Sequence, residues 1–513
     1  MNWLLVGPIA LPLGAAVIGF CLRGRDSAQR AVSLIAALGL AGVATKLLAV
    51  VWQNGITVSQ MGGWPAPFGI TLVADHLSSA MVAVTAVIGL ATVIYSFGNT
   101  PPGEISYALH PLVHALLAGV CGAFLAGDIF NLYVWFEVML IASFALLVLG
   151  GTRSQLDGAV RYAALSLIAT TLLLSGIGLL YGITGTLNMA DLHLRVQEVE
   201  NQGLLTVVAV LFIIAFGIKS AVFPLFFWLP ASYHTPKAAV SAIFSGLLTK
   251  VGVYALMRVF TLIFTHDVGY THELLLWVAG ATMVTGVLGA ASQNELRRIL
   301  SFHIISQIGY MILGIALFTE FGILGGIFYI IHHIIVKANL FFVAGAADRI
   351  SGSTDLSRLG GLYRDRPLLA LLFFVPAFSL AGFPPLSGFW AKLLLIQASI
   401  EASEFVIAGV ALAVGLMTAY SMTKIWLNAF WKARPADAGP PPMPLPIRLR
   451  MLLLGPITGL AALTLAIGLY AKPLYSVAER AARELMDPSH YVEAVLDTDH
   501  PAQRQVIGRP PAQ

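Results

Sequence analysis

Residues 204–229 read LLTVVAVLFIIAFGIKSAVFPLFFWL, and this stretch decides the fold. It contains one charged residue, Lys219, and one proline, Pro224. A helix needs about 20 apolar residues to cross the hydrocarbon core of a bilayer. The stretch is therefore predicted to be a transmembrane helix with an ionisable group buried inside it.

The composition extends this prediction to most of the chain. Of its 513 residues, 58% are hydrophobic and 11% are charged, whereas soluble domains carry about 25% charged residues. These charged residues are too few to cover a core of this size, so most of the surface must face lipid. The composition excludes a cytosolic enzyme, a nucleic-acid-binding protein and a secreted disulfide scaffold.

Apolar runs of membrane-spanning length recur along the whole chain. We predict an all-α polytopic membrane protein with about fourteen transmembrane helices, embedded in a lipid bilayer. The predicted spans are 3–21, 31–52, 72–95, 109–126, 129–150, 162–184, 204–229, 238–264, 273–292, 299–318, 321–347, 367–396, 404–431 and 451–471.

The distribution of basic residues between alternate loops predicts the topology. One set of connections holds Arg23, Arg25, Arg30, Arg153, Arg161, Lys237, Arg297, Arg298, Arg349, Arg358, Arg364, Arg366, Lys432, Arg434, Arg448 and Arg450. The opposite loops before the last span hold Arg195 alone, among several acidic residues. Because cytoplasmic loops carry the excess of Lys and Arg, both termini are predicted to lie on the outer side.

Ionisable residues buried in the spans are the main functional signal. Five lie well inside predicted helices: Glu137, Lys219, Lys250, Lys337 and Lys392. Each costs about 2.5–3.5 kcal/mol on insertion scales, and such residues usually mark ion or proton pathways. The alternative is that they form purely structural salt bridges between helices.

Two predicted helix breaks lie beside two of these lysines. Pro224 follows Lys219 in the seventh span, and Pro384 and Pro385 precede Lys392 in the twelfth. Proline removes a backbone donor, and freed carbonyls at bilayer depth are tolerated where they line a wet cavity. Broken helices at corresponding places in two halves indicate an inverted-repeat transporter.

The predicted spans group into six segments along the chain. Residues 1–126 hold the first three helices and the start of the first repeat. The other segments are a first five-helix repeat at 109–264, a second, inverted five-helix repeat at 273–431, a proline-rich cytoplasmic linker at 432–450, a last span at 451–472 and a polar tail at 473–513. Within the tail, 474–486 is predicted to be an amphipathic helix at the membrane surface or on a neighbour.

Further polar residues lie at membrane depth. His332 and His333 precede Lys337 in the eleventh span; histidine suits proton relay near neutral pH, and one of the pair is expected to be a packing residue instead. Secondary candidates are His303 in the tenth span, Arg258 in the eighth, which is either a cavity residue or a lateral contact, and Lys424, which could reach the headgroups. No metal site and no cofactor are predicted, because no cluster of metal ligands is visible.

These residues together resemble the antiporter-like subunits shared by Mrp-type cation/proton antiporters, respiratory complex I and membrane-bound hydrogenases. The likeness is strongest to the D-type subunits of the Mrp branch and covers about residues 1–472. It rests on GDIFNLYVWFE at 127–137, GIKSAVFPL at 217–225, HTPKAAVSAIFSGLLTK at 234–250 and AGFPP at 381–385.

The resemblance implies a role for each residue of the series. Glu137 and Lys219 would form a coupled pair, and Lys250, His332/His333 with Lys337, and Lys392 would carry protons onward. It also implies a bacterial plasma membrane, sodium and protons as transported ions, and partner subunits of the A, B, C, E, F and G types.

Rival functions remain at this point. A proton-pumping subunit of complex I or of a related redox-driven complex would use the same residues. A passive scaffold would use the charged residues only as ties between helices. A membrane-embedded enzyme is the least favoured, because no nucleophile–base set is visible.

Overall fold

The computed structural model describes residues 2–100, 106–435 and 446–496. Within these ranges thirteen helices are long and apolar enough to cross a membrane. The twelfth predicted span is an additional crossing made of two shorter helices, so the prediction of about fourteen spans is confirmed. The spans are Trp3–Cys21, Asp26–Asn54, His76–Asn99, Ser106–Leu125, Ile129–Val148, Arg153–Thr184, Gln202–Ser220, Ala238–Leu262, Val268–Ser292, Leu296–Ala316, Glu320–Ser351, Pro367–Ala381 with Ser387–Glu401, Phe405–Trp431 and Ile447–Leu469.

Short elements connect the spans, chiefly at the face where the first span begins, which we call the N-terminal face. The third span starts at His76 because Asp75 caps it, with its side chain accepting from the Ser78 N–H. A two-stranded antiparallel hairpin, which was not predicted from the sequence, precedes it. The short elements are strands Thr57–Gln60 and Thr71–Ala74, and helices Met61–Gly63, Met189–Arg195, Val196–Glu198, Trp228–Ser232, Leu362–Asp365, Lys472–Met486 and Ser489–Leu496.

Burial separates a central group of spans from a peripheral one. The eighth, tenth and eleventh spans are almost entirely buried, whereas the first, second and sixth spans expose much of their apolar surface. The exposed side chains suit contact with lipid or with partner helices. Polar residues on the central spans are therefore enclosed by protein rather than by acyl chains.

Both predicted helix breaks are present. The seventh helix ends at Ser220, where Ala221 adopts a left-handed conformation, and helical structure resumes at Trp228 beyond Pro224. The twelfth ends at Ala381 with Gly382 left-handed and resumes at Ser387, beyond Pro384 and Pro385. Each break lies in the fourth helix of a predicted five-helix repeat. Five crossings return the chain to the opposite side, so the second group runs inverted relative to the first.

The C-terminal amphipathic helix is longer than predicted and packs on this chain itself. It covers Lys472–Met486 and buries a narrow strip of small residues, including Ala478 and Ala481, against the N-terminal face. The predicted linker at 432–450 is described only at its ends, and residues 436–445 lie outside the described ranges. The bounds of the other five segments, 1–126, 109–264, 273–431, 451–472 and 473–513, remain predictions.

Candidate functional site

A threonine hydroxyl joins Glu137 to Lys219. The Thr170 hydroxyl donates to Glu137 Oε1 at 2.7 Å and accepts from Lys219 Nζ at 3.1 Å. The same ammonium donates to the Ser166 carbonyl at 3.2 Å, one turn earlier on the sixth span. The two charges that the resemblance pairs are thus near each other, but they meet through Thr170 and not in a direct ion pair between described atoms.

Thr170 is a site residue that was not predicted from the sequence. Its only sequence signal is a polar pair, Thr170 and Thr171, in an otherwise apolar helix. Threonine in a helix commonly bonds a carbonyl of its own preceding turn, and Thr171 does so, donating to Leu167 at 2.9 Å. Only the packing of the fifth, sixth and seventh spans shows that Thr170 has a different role.

We predict that Thr170→Val lowers the cation/proton antiport that the resemblance implies by about tenfold or more, because losing the bridging hydroxyl leaves a charged hydrogen bond unmade, a cost of about 1.5–3 kcal/mol. Thr171→Val is the matched control, since that side chain bonds only its own helix. Proton movement driven by a cation gradient in membrane vesicles, the activity that the resemblance implies, is measured for both variants. Equal rates for the two would remove Thr170 from the site.

Lys250 is fully buried on the eighth span, two residues before a close contact with the seventh span. Gly252, two residues on, has no room for a Cβ, because that atom would lie 2.5 Å from the Ser220 hydroxyl at the seventh-span break. Lys250 Nζ donates to the Ser245 carbonyl, which belongs to a π-helical turn at Phe244–Leu248. Single π-helical turns are frequent at functional sites. The seventh-span break thus packs against the eighth span at Gly252, two residues from Lys250.

Three buried side chains on the tenth and eleventh spans continue the series. Both ring nitrogens of His303 and of His333, and Nζ of Lys337, have no hydrogen-bond partner among the described residues. His333 is in electrostatic range of Lys250, Lys337 and His303. Buried polar groups are nearly always satisfied, and internal water commonly supplies the partner. We therefore expect this part of the interior to be hydrated.

Lys392 and His332 lie at the second helix break. Lys392 Nζ donates to the Ala381 carbonyl, the last of the first half-helix, at 3.0 Å, and lies 5.1 Å from the Tyr310 ring centre. His332 Nδ1 lies 2.8 Å from the Ser387 hydroxyl, at the start of the second half-helix. His332 is thus the hydrogen-bonded member of the histidine pair, and His333 is the one whose nitrogens have no partner among the described residues.

Two secondary candidates have firm structural partners. Arg258 forms a buried ion pair with Asp75 at the N-terminal face. Lys424 donates to the carbonyls of Ala291 and Gln293, at 3.1 and 2.7 Å, at the C-terminal end of the ninth span. A cation there suits the helix dipole. Lys424 is therefore explained as a helix cap.

The candidate site is a row of ionisable and polar residues between two helix breaks. It begins at Glu137 and Thr170, which are half-buried, and continues through the buried residues Lys219, Lys250, His333, Lys337, His303 and Lys392, with His332 beside the second break. Buried charges in a polytopic bundle with two broken helices define the class of membrane ion transporters.

Comparison with known proteins gives the family. Residues 126–418 match the family described as NADH:quinone oxidoreductase/Mrp antiporter, TM, and the chain belongs to this family. It is 48% identical to the D subunit of a Na(+)/H(+) antiporter from Alkalihalophilus pseudofirmus, over 97% of this chain and 100% of that protein.

Two solved structures share the fold. A chain of the Mrp complex from Dietzia sp. DQ12-45-1b is 34% identical, with a TM-score of 0.89 over 97% of this chain and 100% of that one. A chain of the membrane-bound sulfane sulfur reductase, an archaeal respiratory membrane complex, is 27% identical, with a TM-score of 0.89 over 96% of this chain and 100% of that one.

Proposed function

We propose that this chain is a subunit of a multi-subunit sodium/proton antiporter and that protons cross it along the buried row. The observation that carries the proposal is the row itself. It runs from Glu137 through Lys219 and Lys250 to Lys392 on adjacent spans, with a helix break near each end. Relatives that are D subunits of Na(+)/H(+) antiporters support the choice of ions.

The chemistry of the row suits stepwise proton movement. Thr170 can accept a hydrogen bond from Lys219 while donating one to Glu137, so a change of charge on either residue reaches the other. Lys250, His333 and Lys337 lie in mutual electrostatic range, in an interior of low dielectric constant. A proton arriving on one group therefore disfavours a proton on the next, which couples the sites.

The orientation and surroundings form part of the same proposal. We place the N-terminal face outside a bacterial plasma membrane, because the basic loops lie at the opposite face. The exposed apolar surface of the peripheral spans would contact lipid and partner subunits of the A, B, C, E, F and G types. In this proposal the chain is not an enzyme; it carries protons within a larger complex.

A redox-driven proton pump is the second candidate, because the respiratory sulfane sulfur reductase chain has the same fold. An experiment with vesicles that contain the whole complex distinguishes the antiporter from the redox-driven pump. The vesicles are energised through an unrelated proton pump and then freed of electron donors. The antiporter predicts that adding Na⁺ collapses the pH gradient at once. If proton movement occurs only while an electron donor is oxidised, the redox function replaces this one.

A further inference from the structure

Beyond Lys250, polar side chains on the same face of the eighth span continue toward the N-terminal face, and we call them the column. Lys250, Tyr254 and Arg258 are spaced four residues apart, so they share one face of the helix over about 12 Å. The Tyr254 hydroxyl donates to the Phe124 carbonyl at 2.7 Å and accepts from the Arg258 guanidinium at 3.4 Å. None of these three residues is more than 4% exposed.

The column ends in a closed cluster at the N-terminal face. Arg258 pairs with Asp75, the cap of the third span. Its guanidinium also lies over two aromatic rings, 5.6 Å from the centre of Tyr254 and 5.3 Å from that of Tyr491. Tyr491 belongs to the last described helix, so the C-terminal segment supplies the wall that encloses Arg258. Asp128 is the other acidic residue in electrostatic range of Tyr491.

The segment formed by residues 472–496, which we call the cover, is held by polar contacts along its first helix and by the buried side chains of Tyr491, Val492, Val495 and Leu496 along its second. Glu484 accepts from the His76 backbone N–H at 3.0 Å and contacts the His76 ring nitrogen at 2.6 Å. Arg483 pairs with Glu320 at 3.0 Å, where both side chains are more than half exposed. The Arg480 guanidinium lies 3.7 Å from the centre of the Trp52 ring.

The contacts of the first cover helix, Lys472–Met486, suit a helix that can detach locally. Exposed ion pairs contribute little to stability because water replaces them well. The packed strip of the first cover helix is Ala478, Ala481, Ala482 and Leu485, so three of its four buried residues offer only a methyl group. The first cover helix therefore has few large buried apolar contacts, and helices of this kind open at low free energy while the rest of the fold persists.

We propose that Tyr254, Arg258 and Asp75 form the outer section of the proton path and that the cover controls its access to the outer solution. The inference rests on the proposed function. It adds an end point for the path at the N-terminal face and a role for a segment that the row does not use. Arg258 and Asp75 act by positioning Tyr254 and by keeping the section polar.

Cysteine labelling after assembly tests this without substituting the buried ion pair. Thr261 follows Arg258 by about one turn, is 2% exposed, and donates only to carbonyls of its own helix. Thr261→Cys is introduced into the full complex with Cys21 and Cys121 replaced by alanine. A membrane-impermeant, positively charged methanethiosulfonate reagent is added outside intact cells. Labelling rate and sodium/proton antiport before and after labelling are measured.

Two variants weaken the attachment of the cover in different ways. Glu484→Gln weakens the contact with His76, and Ala481→Leu forces a larger side chain into the packed strip. Glu479→Gln is the matched control, since Glu479 pairs only with Arg483 of its own helix. In both cover variants the thiol introduced by Thr261→Cys should label about tenfold faster than in the control, because labelling follows the open population.

The labelled protein then reports on the path itself. We expect labelling of the introduced thiol to reduce antiport severely relative to the same protein before the reagent, because a bulky cation would occupy the outer section. Full antiport after complete labelling, or equal labelling rates in Glu484→Gln and Glu479→Gln, overturns the inference. The proposed function fails separately, if Lys219→Ala supports normal antiport in the same complex.

Discussion

Replacing Lys219 by alanine should reduce sodium/proton antiport to about 1% of the normal rate or less, a loss of about 2.7 kcal/mol or more in barrier terms. Lys219 Nζ is the group that connects Thr170, and through it Glu137, to the break of the seventh span. No other described ammonium contacts Thr170. Inverted vesicles from cells without other sodium/proton antiporters measure the loss directly.

The control for this prediction is Lys46→Ala. Lys46 also lies within a membrane span, but its side chain is exposed at the periphery of the bundle. This variant should keep normal antiport, and both variants should reach normal abundance in the membrane. If Lys219→Ala retained antiport at normal abundance, Lys219 would not be a proton carrier.

Replacing Lys337 by methionine should abolish antiport while leaving the protein at least as stable. Lys337 is fully buried, and its ammonium has no hydrogen-bond partner among the described residues. A buried ammonium without a partner carries a desolvation cost that an apolar side chain of similar volume does not carry. Thermal unfolding of the purified complex in detergent, together with vesicle antiport, measures both quantities.

For Lys424→Met we expect the opposite result, which is lower stability with antiport retained. Its ammonium satisfies two carbonyls at the end of the ninth span, so its loss should destabilise the protein by about 1–3 kcal/mol while antiport persists. Comparing Lys337→Met with Lys424→Met distinguishes a proton path from a scaffold in which charged residues only link helices. A Lys337→Met protein that unfolds more readily than Lys424→Met would support the scaffold.

The fold was predictable because each span carries its own signal. Apolar length located the fourteen crossings, and proline marked both breaks, since it affects the backbone locally. The hairpin at 57–74 carried no such signal: its strands are four residues long, and the second overlaps the start of the predicted third span. The pairing of such a short strand depends on its surroundings more than on its own sequence.

The site was predictable only for residues that are costly at bilayer depth. Glu137 and the four lysines are conspicuous in apolar helices, whereas Thr170 is not, although it joins two of them. For the same reason the sequence could not choose between His332 and His333. Their different partners depend on Ser387, which lies 55 residues from His332 along the chain. The role of Arg258 likewise depends on its ion pair with Asp75, which lies 183 residues away along the chain.

The most direct test of the central claim asks whether water reaches the buried row. Hydroxyl radicals generated from internal water by a brief X-ray pulse modify side chains that touch that water. In the intact complex we predict modification of His303 and His333, whose ring nitrogens have no described protein partner. Tyr95 is the dry reference, because it is equally buried and donates to the Phe342 carbonyl. Modification of both histidines well above Tyr95 is the predicted result; histidines as unreactive as Tyr95 would show a dry interior and contradict proton movement along this row.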